Sequence, residues 1–163
     1  MKYLISLIIA TALFSCNSQT ADSKNLQLQI DSLQNKFNNT YTPGFSEFMS
    51  TIQVHHAKLW FAGENQNWQL ADFEIHEIKE SLDGIKTYCT DRPETNSLGM
   101  IDPPLDSLLN AITEKNSSRF KSSYVLLTNT CNTCHEATAH GFNVIKIPTS
   151  IPFSNQEFKP VKQ

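Results

Sequence analysis

Residues 131–135 read Cys-Asn-Thr-Cys-His and bring two thiols and an imidazole into five positions of the chain. On a helix, Cys131 and Cys134 stand at i and i+3, and His135 lies one turn beyond Cys131. All three groups then meet one flat object. A porphyrin fits this description: two thiols can add to vinyl groups along one edge, and the neighbouring imidazole offers a nitrogen to the iron. Two rival chemistries use the same residue types. A redox disulfide of the thioredoxin kind places Cys-x-x-Cys at a helix N-terminus after a strand, whereas apolar helical sequence precedes Cys131. A zinc site needs four protein ligands, and Cys131, Cys134, His135 and His140 supply that number only if one short segment wraps around the ion. The spacing points to one covalent haem c, attached through Cys131 and Cys134, with His135 as proximal iron ligand.

The start of the chain supplies the compartment. Lys2 precedes an apolar run from Leu4 to Phe14, which has signal-peptide length and is too short to span a bilayer. The run ends in Leu13-Phe14-Ser15-Cys16, which resembles a bacterial lipobox with Cys16 as the lipidated residue. An ordinary cleaved signal with a cysteine near the cut is the alternative. Both readings export the protein, and export is where bacteria attach haem covalently. The expectation is a lipid-anchored protein on a bacterial membrane, facing the periplasm or the cell surface. Of the four cysteines, Cys16, Cys131 and Cys134 then have uses and Cys89 is left over, which argues against a disulfide framework. Without Lys2 the chain carries 12 Lys+Arg against 16 Asp+Glu, a net charge of −4. Nothing in that balance suits a nucleic-acid surface.

Apolar periodicity then divides the chain into helices. Residues 1–16 are the expected leader. Residues 17–42 hold a polar, flexible tether from Asn17 to Asn25 and an amphipathic helix with Leu26, Ile30, Leu33 and Phe37 on one stripe. Residues 43–163 form the expected haem-binding domain. Its first helix, about 45–62, aligns Phe45, Met49, Ile52, His56 and Leu59. The second, about 68–88, aligns Ala71, Ile75, Ile78, Leu82 and Ile85. A loop is expected over Thr90–Ile101. Asp102 then reads as an N-cap before Pro103 and a short helix through Ile112. A fourth helix runs from about Arg119 to Ala139, with Gly141 as its stop. The tail from Phe142 carries prolines at 148, 152 and 160 and reads as irregular, with a short strand conceivable over Phe142–Ile147. The pattern predicts an all-α chain: an antiparallel four-helix bundle, an additional N-terminal amphipathic helix and an irregular C-terminal tail.

A Cys-x-x-Cys-His near the end of the last of four helices resembles the class II c-type cytochromes, the cytochrome c′ family and its low-spin relatives. The resemblance covers about Phe45 to His140, and the 28 residues after His135 and the helix at Leu26–Phe37 depart from the family pattern. It implies that the first bundle helix faces the distal side of the haem, where low-spin relatives place a Met ligand and cytochrome c′ leaves the iron open. That helix offers His56, Met49 and His55. His56 shares the apolar stripe, while both histidines could equally be surface groups and Met49 core filler. Arg119, Lys121 and Lys146 are candidate partners for haem carboxylates. Trp60 and Trp68 could wall the cofactor or simply pack the core. The expected function is single-electron transfer with a redox partner protein. A five-coordinate NO- or CO-binding protein is the alternative, and a peroxidase-like enzyme is disfavoured because no Arg-His pair marks a distal pocket. An incidental motif in a structural lipoprotein is a further reading. Bundles of this type often pair through their first two helices, so a homodimer stays open.

Overall fold

The computed structural model describes residues 16–38 and 42–161; residues 1–15, with the leader and the lipobox positions before Cys16, lie outside them. All regular structure among the described residues is helical. The elements are α1 (Cys16–Asn38), α2 (Phe45–Glu64), α3 (Trp68–Tyr88), a 3-10 helix η1 (Pro93–Ile101), α4 (Asp102–Thr113) and α5 (Ser117–Ala137). No described helix is long and apolar enough to cross a membrane. The chain divides into two compact units, Met1–Thr42 and Pro43–Gln163.

The first unit corrects one expectation. Residues 17–25, read as a flexible tether, belong to α1. Ser, Thr and Asn favour turns, but the Gln, Leu and Lys residues that follow are good helix formers. Side-chain pairs one turn apart also support the helix, with Gln27 to Asp31 at 2.8 Å and Gln34 to Asn38 at 3.1 Å. Leu26, Ile30, Leu33 and Phe37 are exposed along it.

In the second unit the apolar stripes meet as one core. Leu59 and Ala62 of α2, Ile75, Ile78, Leu82 and Ile85 of α3, Leu105, Leu108 and Ile112 of α4, and Phe120, Tyr124 and Leu127 of α5 are buried together. Helix α2 packs on α3, α4 on α5, α3 on α4, and α2 on α5. Three-residue corners join α2 to α3 and α4 to α5. At each, a residue in the left-handed region, Gln66 or Lys115, ends one helix. The next residue donates its N–H back to the preceding turn, Asn67 to Ala62 and Asn116 to Ala111, both at 2.9 Å. The same two asparagines then cap the following helix through their side chains, accepting from Leu70 and Arg119. One residue type thus closes one helix and opens the next.

Three local expectations change. Most of the loop expected over Thr90–Ile101 is η1, whose Leu98 and Ile101 stand three residues apart, eclipse at three residues per turn and are both buried. Helix α4 follows η1 directly, so Asp102 is its first residue and makes no side-chain cap. Helix α5 ends before Gly141: Ala139 takes the left-handed conformation and His140 N–H bonds the His135 carbonyl at 2.7 Å. The residues after α5 are irregular, and Phe142–Ile147 form no strand. The tail is nevertheless anchored. Phe158 is buried against Phe61, and Lys58 sits over the Phe153 ring at 5.3 Å. Trp60 and Trp68 pack on Phe120 within the core.

Helices α2 and α5 approach closely where a Cβ on Gly63 would clash with the ring of Phe120, itself fully buried. Gly63→Ala therefore overpacks the core and should lower stability by about 1–3 kcal/mol in urea unfolding; an unchanged midpoint would show that the two helices can separate there without cost.

Candidate functional site

The N-terminal half of the α2 stripe packs against the edge of the core and is only partly buried. Phe45, Met49 and Ile52 line a cavity of about 480 Å³ together with His56. Helix α5 contributes Leu127, Cys131, Cys134, His135 and Thr138 to the same cavity. Its buried depth is apolar, with Ile78 and Leu82 from α3 and Leu98 and Ile101 from η1. Its rim is polar, with Arg92, Glu94, His140 and Asn143. A mostly apolar cleft of this volume with a few placed polar groups is what a cofactor site requires.

The two motif thiols are both free, and they face one cavity. Burial pushes the Cys131 thiol up to about 12, with the nearby Cys134 adding to it, and burial also raises Cys134. Both are thus neutral thiols. A dithiol–disulfide catalyst needs a stabilised thiolate at a helix N-terminus, whereas this pair lies in the last two turns of α5. A zinc site would need its ligands gathered at bonding distance. The four residues that could have enclosed it are not gathered: among the described residues no group of three or more His, Cys, Asp or Glu side chains could hold a metal ion. His140 is directed to the Thr138 carbonyl through Nδ1 at 2.7 Å, with Glu94 3.9 Å from its Nε2.

One ring nitrogen of His135 is committed to the backbone. Its Nδ1 lies 2.6 Å from the Asn143 carbonyl oxygen. A carbonyl only accepts, so Nδ1 carries the proton and Nε2 carries the lone pair. The carbonyl comes from the tail, which also meets the motif at Asn132, where Ile145 N–H donates to Oδ1 at 2.8 Å and Nδ2 donates to the Ile145 carbonyl at 2.9 Å.

The three distal candidates separate clearly. His56 is buried, and both its ring nitrogens are engaged: Nδ1 is 2.9 Å from the Tyr124 hydroxyl and Nε2 is 3.0 Å from the Thr128 hydroxyl. Each hydroxyl also lies near a carbonyl, Tyr124 2.7 Å from that of His56 and Thr128 2.9 Å from that of Tyr124; with a neutral ring, one of the two hydroxyls donates to the imidazole lone pair instead of its carbonyl. His55 lines no part of the cavity and turns to α3, with Nδ1 2.6 Å from Glu74 and Nε2 3.9 Å from Glu77. Glu74 is fully buried, and its second oxygen has Lys58 Nζ at 4.0 Å and no hydrogen bond. Met49 is half-buried, lines the cavity and carries a soft thioether.

The basic residues are redistributed. Arg119 pairs with Glu114 at 2.7 Å and Lys121 with Glu64 at 2.9 Å, and neither lines the cavity, nor does Lys146. Arg92 does. It forks onto Glu94 at 2.9 Å and 3.3 Å and lies over the Phe45 ring at 5.5 Å. Sequence reasoning missed it because it sits just before η1; the available signal was Arg92-Pro93-Glu94 ahead of Leu98 and Ile101 at 3-10 spacing. Cys89 is buried outside the cavity, its thiol raised chiefly by burial.

The chain matches no known family, curated protein or solved structure.

Burial pushes the His56 imidazole down to about 4. An unfolded histidine titrates near 6.5. Between those values the unfolded chain binds a proton that the folded chain refuses, so stability must fall as pH drops through that window. The loss attributable to this group approaches about 3 kcal/mol below pH 4. In urea melts, His56→Gln should be less pH-sensitive than the parent between pH 7 and pH 4.5; equal slopes would mean that His56 is protonated in the folded state.

Proposed function

We propose that this chain is an exported, lipid-anchored c-type cytochrome that carries single electrons between redox partner proteins at a bacterial membrane surface. In this reading α2 to α5 form the antiparallel four-helix bundle of the class II c-type cytochromes, with Cys16 holding the lipid. One observation carries the reading: Cys131, Cys134 and His135 of α5 share one apolar cavity with Met49 of α2. A chance motif has no reason to face an apolar cleft of cofactor size.

The residues fit the group. Cys131 and Cys134, both free, would hold the group covalently, each thiol adding across one vinyl with its hydrogen going to the neighbouring carbon and nothing leaving. His135 presents Nε2 to the iron because Nδ1 is committed to Asn143. Met49, whose thioether lines the same cavity, would be the residue that holds the iron from α2. His56 is spent on Tyr124 and Thr128 and His55 on Glu74, so neither is the sixth ligand in this account. His/Met ligation favours a higher potential than a bis-His site. Arg92 on the rim is the cation within the cavity lining for a haem carboxylate. Ile78, Leu82, Leu98 and Leu127 exclude water around the ring. A haem held there would supply a one-electron ferric/ferrous couple, and these residues would anchor it and shield it from water.

Protein matured with a haem-attachment system should show a sharp reduced α-band. Met49→Ala should convert it to a broad high-spin spectrum that shifts with CO, while His55→Ala and His56→Gln keep the sharp band. A high-spin, CO-responsive parent would support NO or CO binding instead. Loss of the low-spin spectrum in a histidine variant alone would contradict the Met49 assignment.

A further inference from the structure

The segment after α5 is longer than a helix stop requires, and four hydrogen bonds return it to the motif. His140 N–H bonds the His135 carbonyl at 2.7 Å, His135 Nδ1–H bonds the Asn143 carbonyl at 2.6 Å, and Asn132 makes two bonds to the backbone of Ile145 at 2.8 Å and 2.9 Å. A turn bond from Asn143 N–H to the His140 carbonyl at 2.8 Å fixes the path between them. Asn132 occupies the first variable position between the two motif cysteines, where any residue preserves the thiol spacing. Its amide presents a donor and an acceptor side by side, and both meet the backbone of Ile145, as a neighbouring strand would.

We infer that Asn132 is a positioning residue for the iron-binding imidazole, holding the tail so that the Asn143 carbonyl stays on Nδ1 of His135. The inference rests on the cytochrome reading for its consequence at the iron; the two-point bond itself is independent of it. The physical chain is short. The carbonyl of residue 143 lies two residues before the Asn132 anchor, in a segment without helix or strand of its own. Released from Asn132, that segment regains backbone freedom and the carbonyl is no longer held at 2.6 Å. A proton on Nδ1 that donates to a carbonyl makes Nε2 more basic. A more basic imidazole favours ferric iron, so loss of the bond raises the reduction potential. Thr133, the second variable residue, bonds only the Asn129 carbonyl within α5 at 3.1 Å and is exposed. It is the internal control.

The test compares Asn132→Ala with Thr133→Ala in the full, haem-matured chain, reading amide exchange at Ile145 and the reduction potential. Asn132→Ala should speed Ile145 exchange about tenfold, as expected for loss of one side-chain hydrogen bond, and move the potential upward. Asn132→Asp, which keeps the acceptor for Ile145 N–H, should recover much of the exchange protection. Thr133→Ala should change neither reading. Unchanged exchange in Asn132→Ala overturns the two-point bond. Faster exchange at an unshifted potential overturns the action on His135. A chain that matures without haem overturns the role toward iron together with the cytochrome reading, and Ile145 exchange in that same chain identifies which of the two has failed.

Discussion

The bond from the Tyr124 hydroxyl to the His56 carbonyl, 2.7 Å long and fully buried, fastens α5 to α2 where the core ends and the cavity begins. On one side of it Phe120 fills the space left by Gly63, and Trp60 and Trp68 close around that ring. On the other side the same stripe of α5 continues as Leu127, Cys131 and Cys134, now facing open volume. A buried polar junction costs free energy unless each member is bonded. Here the Tyr124 and Thr128 hydroxyls and both nitrogens of His56 find partners. Burial also keeps the imidazole neutral, since it resists protonation down to about pH 4.

That junction has a functional consequence. An imidazole bonded at both nitrogens has no lone pair to spare, which is why the proposed distal role falls to the thioether of Met49, two turns earlier on the cavity face of α2. The other side of the cavity is fixed by a different device. His135 is oriented by a carbonyl from the tail, and the tail is held by Asn132, within the motif itself. The motif thus carries both its reactive groups and the anchor for its own support.

The helices and the motif were legible because their signals are local. Ile75, Ile78, Leu82 and Ile85 repeat at helical spacing, and Cys131 to His135 are contiguous. His56 also lay on the buried stripe, as expected, but the use of its nitrogens depends on Tyr124 and Thr128, 68 and 72 residues away. Arg92 was missed for a related reason. Proline, asparagine and glycine between 90 and 101 read as loop, and the i, i+3 burial of Leu98 and Ile101 depends on distant helices, α5 foremost with α4 and α3, packing against η1. Residues 17–25 show propensity outweighed by continuation, since turn-favouring residues extend a helix whose later turns form well. Gly141 was the natural stop by composition, but Ala139 accepts the left-handed turn because the His140 N–H then reaches His135.

The central claim is that Cys131 and Cys134 bond a porphyrin. Its most direct measurement is the intact mass of protein matured with the haem-attachment machinery, taken after denaturation and acidic organic extraction. The account predicts one haem added per chain, surviving extraction, and absent from the Cys131→Ala/Cys134→Ala double variant. A chain of unmodified mass, or haem that extracts freely from the parent, would contradict it.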